Sequence, residues 1–370
     1  MVRAPGQGQV MTSSTDQALT RSGWRRLWFW VKRILLALLA LLLLGLVIAA
    51  ILEAIARNRA ASDYPPPGKL VDVGGRKMHI DCRGSGSPTV VLEAGLSTGG
   101  SVDWTLVHDR IAAVTRTCSY DRAGVMWSEP KATPQHAATV AADLRATLAA
   151  AGIEGPIVLV GHSIGGPYVR TYAGLHGDQV AGLVLVDPSH PDQVARFKAG
   201  VGVDADPKSM LLPARIVSAL SWTGAMRLIA GMEPLPNMPA EASAKVVAFS
   251  SGSVKGALSE IEGFNQTMDD ARAVTSLGDR PLIVLTALKP MGEVQLKALG
   301  LTPEKGAAFQ AVWQELNAEQ ARLSTRGRQI LLRDASHYIQ LDRPDAVIDA
   351  VKDVVDQVRA DGAAKEQPAG

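Results

Sequence analysis

From residue 34 to 52 the chain reads ILLALLALLLLGLVIAAIL, without one charged side chain. At ~1.5 Å rise per residue such a helix covers close to ~30 Å, the thickness of a bilayer's hydrocarbon core. The pattern predicts a polar N-terminal segment over 1–26, a transmembrane helix over 27–52 and a linker over 53–69, stiffened by Pro65-Pro66-Pro67. Short apolar runs then alternate with stretches of helical spacing. Residues 78–82, 89–93, 117–120, 157–160 and 180–186 read as strands. Between them, 136–150 sets Val140, Leu144 and Leu148 on one helical face and is closed by Gly152, and 164–176 is also helical. This rhythm predicts an α/β domain with a mostly parallel central sheet flanked by helices, its first part over 70–189. Residues 190–278 interrupt it with Met- and Leu-rich helical stretches punctuated by Pro234, Pro236 and Pro239, as an inserted helical lid would. A second part over 279–360 resumes with strands at 282–286 and 329–332 and a helix at 344–358, whose buried face carries Val347, Val351, Val354 and Val358. The expected end is a disordered tail over 361–370.

Composition narrows the function. With 47% hydrophobic residues in 370, the chain can bury one large core. Its formal net charge of +2, with both signs interspersed, provides no basic stripe for nucleic acid. Arg21, Arg25, Arg26, Lys32 and Arg33 precede the apolar run, whereas Arg57 and Arg59 follow it beside Glu53 and Asp63. The positive-inside rule puts the N-terminus in the cytoplasm and the large domain outside, periplasmic or extracellular, with Trp24, Trp28, Phe29 and Trp30 at the headgroups. A signal peptide cleaved near Ala60 and Ala61 is the alternative, disfavoured by the length of the run, and it too exports the domain. The two cysteines, Cys82 and Cys118, form no metal framework, and an oxidising compartment would permit them to pair or leave them as buried thiols.

Two segments fit G-x-S-x-G, the tight strand-to-helix turn that lifts a serine hydroxyl clear of the backbone: Gly161-His162-Ser163-Ile164-Gly165 and Gly95-Leu96-Ser97-Thr98-Gly99. Context separates them. The first lies between a β-branched strand and a helix, and Gly166 follows it; the second runs into Gly99-Gly100-Ser101, which opens a loop. Ser163 is therefore the candidate nucleophile and Ser97 a loop serine. A serine needs a base to take its proton, and His337, in the loop after the last strand, is the candidate.

The elbow at 161–166, Tyr120-Asp121-Arg122-Ala123-Gly124, Leu185-Val186-Asp187-Pro188 and Ser336-His337-Tyr338, in that combination, resemble the α/β-hydrolase superfamily over about 70–358. That resemblance implies a triad in the chain order Ser, acid, His. The strand at 282–286 is followed by no Asp, so the acid falls to Asp187, at the end of the preceding strand, with Glu293 and Asp192 as alternatives. It also implies an oxyanion hole from the backbone N–H groups of Leu96 and Ile164, and a structural role for Asp121 and Arg122. The family's sheet order would set the strand ending at Cys82 beside the one beginning at Cys118, which implies a disulfide. The expected activity is hydrolysis of a hydrophobic ester, lactone or thioester through an acyl-serine, with no metal or organic cofactor. The same residues would also serve acyl transfer, amide or C–C bond cleavage or perhydrolysis, and a catalytically dead binding module is the reading from another class.

Overall fold

The computed structural model describes residues 1–2, 14–232 and 235–366. One continuous helix, α1 (Ser14–Asp63), carries the apolar run, and it is long and apolar enough to cross a membrane. An antiparallel hairpin follows, β1 (Lys69–Val73) and β2 (Arg76–Arg83). Next come β3 (Thr89–Glu93), a 3-10 turn at Gly100–Trp104, α2 (His108–Ala112), β4 (Thr117–Tyr120), α3 (Ala137–Ala150), β5 (Ile157–His162), α4 (Gly165–Leu175) and β6 (Val180–Val186). The insertion contains α5 (Gln193–Val201), α6 (Leu211–Ala219), a 3-10 turn at Ser221–Thr223, α7 (Ala225–Met232), α8 (Ala240–Glu262) and α9 (Phe264–Arg272). The chain then completes the sheet with β7 (Leu282–Ala287), α10 (Glu293–Ala298), α11 (Pro303–Ala321), β8 (Gly327–Leu332), α12 (Ile339–Asp342) and α13 (Pro344–Glu366).

The strands lie in the order β1-β2-β4-β3-β5-β6-β7-β8, with only the β1 and β2 pairings antiparallel. Side chains alternate across each central strand, so successive residues enter opposite cores. Val158, Val160, Val184, Val186, Ile283 and Leu285 pack beneath Val347, Val351, Val354 and Val355 of α13. Leu159, Leu183, Leu185 and Val284 pack on the other face against Leu144 and Leu148 of α3 and Val169 and Tyr172 of α4. Fully burying one such side chain is worth about 1.5–3 kcal/mol, which makes these two layers the rigid frame for everything at the strand ends.

Several expectations change. The polar N-terminal segment expected over 1–26 is helical from Ser14; its residues 3–13, Pro234 of the lid and 367–370 of the expected tail lie outside the described residues. The segment expected as a linker over 53–69 continues α1 through Asp63, because nothing stops the helix before Tyr64 precedes Pro65. Its end rests on the domain: the Trp127 indole N–H donates to the Tyr64 carbonyl at 2.9 Å. The strand β1 is an addition, turned by Gly74 and Gly75 at φ of 61° and 85°. α11 is another, started by the Thr302 cap with Pro303 after it. Positions 361–366, expected in the tail, extend α13.

Candidate active site

β5 ends at the sheet's rim, and the chain turns into α4 within two residues. That reversal holds Ser163 at φ 55°, in the left-handed region. A Cβ at Gly161 would come 2.5 Å from the Gly165 carbonyl oxygen, and one at Gly165 would come 2.7 Å from the carbonyl oxygen of Glu93. Only glycine permits this approach of helix to sheet. The Ser163 N–H donates to the Val186 carbonyl at 3.1 Å, and its carbonyl accepts from Gly166 and Ser189, each at 2.9 Å.

The structure brings Ser163, His337 and Asp187 into one hydrogen-bonded series. Ser163 Oγ lies 3.0 Å from His337 Nε2, and His337 Nδ1 lies 2.6 Å from Asp187 Oδ2. Asp187 Oδ1 accepts from the Ala287 N–H and the Trp313 indole N–H, each at 2.8 Å. The buried carboxylate thus has both oxygens occupied, and the imidazole keeps the tautomer whose free nitrogen faces the serine. The two alternative acids lie elsewhere: Glu293 is exposed at the start of α10, and Asp192 pairs with Arg272 at 3.0 Å. Ser97 Oγ donates to Asp103 Oδ2 at 2.6 Å and accepts from the Gly99 and Gly100 N–H groups, which commits it to its own loop. Burial pushes the Asp103 carboxyl up to about 6, against the opposing hydrogen bond from Ser97.

His162 backs the His337 loop. Its Nε2 donates to the His337 carbonyl at 2.8 Å, and its Nδ1 accepts from Gln340 at 3.3 Å. Burial, and then the neighbouring His337, lower its pKa to about 3, so it stays neutral.

Among the described residues, the N–H groups of Leu96 and Ile164 have no acceptor in the protein. The loop holding Leu96 is tied down by Arg122. This buried guanidinium donates to the carbonyls of Ala94 and Gly95, each at 2.7 Å. It also donates to Glu93 at 2.5 Å and to both oxygens of Glu260, on α8, at 2.8 and 2.7 Å. Burial opposes the Arg122 charge, yet Glu260 and Glu93 together hold its pKa well above the ordinary value. Its neighbour Asp121 accepts from the Ser101 N–H at 2.7 Å and meets His79 Nδ1 at 2.7 Å. These two residues, expected to be structural, fix the two ends of one loop.

A cavity of about 880 Å³ opens beside Ser163 and His337, lined by Met291, Leu299, Phe309 and Trp313 among others. Phe197 of α5 stacks on Phe309 of α11 at 3.8 Å between ring centroids. Trp313, Gln340 and Glu260 escaped the sequence reading. Only Trp313 had a local signal, the Thr302-Pro303 helix start upstream of it. Cys82 and Cys118 are paired across β2 and β4 and joined as a disulfide. Among the described residues, no three His, Cys, Asp or Glu side chains are disposed to hold a metal ion.

A family model described as "Alpha/beta hydrolase family" matches residues 79–350. An uncharacterized protein of Schizosaccharomyces pombe is 33% identical over 150 residues, which cover 33% of this chain and 28% of that one. The chain spans between 28% and 55% of the lengths of the first two curated relatives. Among solved structures, an esterase from Thermogutta terrifontis superposes with a TM-score of 0.54 at 20% identity, over 78% of this chain and 97% of that one. A putative lipase from Acinetobacter baumannii gives 0.58 at 18% identity, over 83% and 97%. At such identities the likeness concerns the fold.

Proposed function

The chain belongs to the alpha/beta hydrolase family, and from that premise we propose that it is a membrane-anchored serine hydrolase cleaving a carboxylic ester. The observation that carries this reading is the approach of His337 Nε2 to Ser163 Oγ at 3.0 Å, with Asp187 at 2.6 Å on the other ring nitrogen. In the proposed reaction His337 takes the Ser163 proton as Oγ attacks the ester carbonyl carbon. The negative charge that forms on the carbonyl oxygen is received by the Leu96 and Ile164 N–H groups. Collapse breaks the bond to the alkoxy oxygen, which leaves as the alcohol with the proton from His337. Water then attacks the acyl carbon and gives a proton to His337; the bond to Ser163 Oγ breaks as His337 returns that proton to it, releasing the acid and the free serine. Asp187 holds the ring and stabilises its cationic form without taking the proton.

The aromatic and aliphatic lining of the 880 Å³ cavity favours a hydrophobic ester. The esterase and lipase among the structural neighbours are consistent with that class. α1 is the anchor, with its basic end in the cytoplasm and the hydrolase domain outside, where a Cys82–Cys118 bond would persist.

The test is fluorophosphonate labelling of the detergent-solubilised full chain, with peptide mapping, followed by turnover of a short-chain ester. Label on Ser163, a loss of at least about 10³-fold in Ser163→Ala and turnover within a few fold of normal in Ser97→Ala are expected. Label on Ser97, or undiminished turnover in Ser163→Ala, would overturn the reading.

A further inference from the structure

Among the described residues, the outer face of the lid has no partner. α6 and the residue after it set Leu212, Ile216 and Leu220 at intervals of four, and α7 sets Leu228 and Met232 the same way, so each helix carries an apolar stripe. Leu212 is 68% exposed, Leu228 72% and Met232 80%. A single exposed leucine is ordinary, but neighbouring stripes with Met210 and Trp222 beside them form a patch that needs a cover.

The anchor helix indicates what covers it. Glu53 directly follows the apolar run, yet it is 4% exposed, because it accepts from Arg57 at 2.8 Å and from Arg227 of α7 at 3.2 Å. Arg57 also donates to the carbonyls of Ser221 and Ser251, each at 3.2 Å. The start of α7 and the turn before it are thereby fastened to the first turns of α1 beyond the span. At ~1.5 Å per residue, that junction lies within ~10 Å of the hydrocarbon edge. Apolar helix faces and tryptophans partition at this depth.

We propose that the α6–α7 face of the lid docks into the headgroup and acyl boundary of the same bilayer that α1 crosses. The proposal rests on the reading of α1 as a membrane anchor. A second cavity, of about 280 Å³, runs behind α7 from Met226 and Ile229 to Leu96 and Tyr338. Docking opens this groove toward lipid, so an ester dissolved in the leaflet reaches the oxyanion side of Ser163 without crossing water.

The test uses the full chain reconstituted in two sets of phosphatidylcholine vesicles, one with acyl chains brominated near the headgroup to read the lid labels and one with chains brominated near their ends to read the label at residue 43, the midpoint of the apolar run. Bimane is placed on single cysteines introduced as Leu43→Cys in α1, Leu228→Cys and Met232→Cys in α7, and Leu175→Cys, with the unsubstituted chain carried through labelling as a blank. Leu175 is exposed and apolar but ends α4 at the opposite rim of the sheet. Bromine is expected to quench the labels at 43, 228 and 232 and to spare 175. Quenching at 43 without quenching at 228 and 232 overturns the docking and leaves the anchor standing. No quenching at 43 overturns the anchor and the docking with it. A blue-shifted, unquenched label at 228 and 232 assigns the face to a second copy and likewise overturns the proposal. In the Leu228→Glu/Met232→Glu variant, turnover of a vesicle-embedded long-chain ester relative to a water-soluble acetate ester is expected to fall at least about tenfold; an unchanged ratio overturns it.

Discussion

Arg122→Lys keeps the buried positive charge and removes the planar fork. Arg122 serves five acceptor contacts: the Ala94 and Gly95 carbonyls, Glu93 once and Glu260 twice. A lysine ammonium has only three donors, so at least two of these contacts are lost within a site sealed from water. At about 1–3 kcal/mol for each buried acceptor left unpaired, the fold should lose roughly 2–6 kcal/mol. Turnover should fall for a separate reason. The Gly95 carbonyl shares its peptide with the Leu96 N–H, the proposed oxyanion donor, and the Ala94 carbonyl belongs to the peptide before it, so freeing them lets that N–H turn away. Losing an oxyanion donor outright costs about 10²–10³ in kcat, so partial misalignment should cost about 10- to 100-fold, with little change in KM. The assay is kcat and KM on a short-chain p-nitrophenyl ester, with the thermal midpoint recorded on the same samples. Glu260→Gln serves as the control, since it leaves Arg122 its bonds to both carbonyls and should reduce stability but hold kcat within a few fold. A destabilised Arg122→Lys enzyme with normal kcat, or a Glu260→Gln enzyme as slow as Arg122→Lys, would refute the reasoning.

Three further outcomes are expected. The His162 imidazole has its folded pKa lowered to about 3 from an ordinary 6.5, so between those values the unfolded chain binds a proton that the folded chain refuses; stability should therefore fall as pH drops from 6.5 toward 3, by about 4 kcal/mol in all. Denaturant titrations of His162→Gln should show a pH slope shallower by up to about one proton in that window, and equal slopes would contradict the neutral, buried assignment. Trp313→Phe removes one of the two donors to Asp187 Oδ1 while the Ala287 N–H remains, and a fall in kcat of about tenfold is expected from steady-state kinetics, with the thermal midpoint little changed. Replacing Cys82 and Cys118 by alanine opens a cross-link over a sequence separation of 36, which should lower unfolding free energy by about 3–4 kcal/mol, measured against the oxidised parent.

Much of this protein was legible in local pattern. The apolar run of α1, the strand and helix alternation and the G-x-S-x-G turn each depend on neighbours within a few residues, and short-range sterics and periodicity act alike in any context. The edge strand β1 is marked locally by its Gly74-Gly75 turn and α11 by its Thr302-Pro303 start. Other features have no local signature. Trp313 reaches Asp187 across a sequence separation of 126, and Glu260 reaches Arg122 across 138. The choice among Asp187, Asp192 and Glu293 as His337's neighbour, and the fastening of Glu53 to Arg227 on the lid, are likewise set by where the packed sheet and its insertion place distant segments. A hydrogen bond between remote residues takes its geometry from the whole core that positions both partners, and no stretch of chain encodes that on its own.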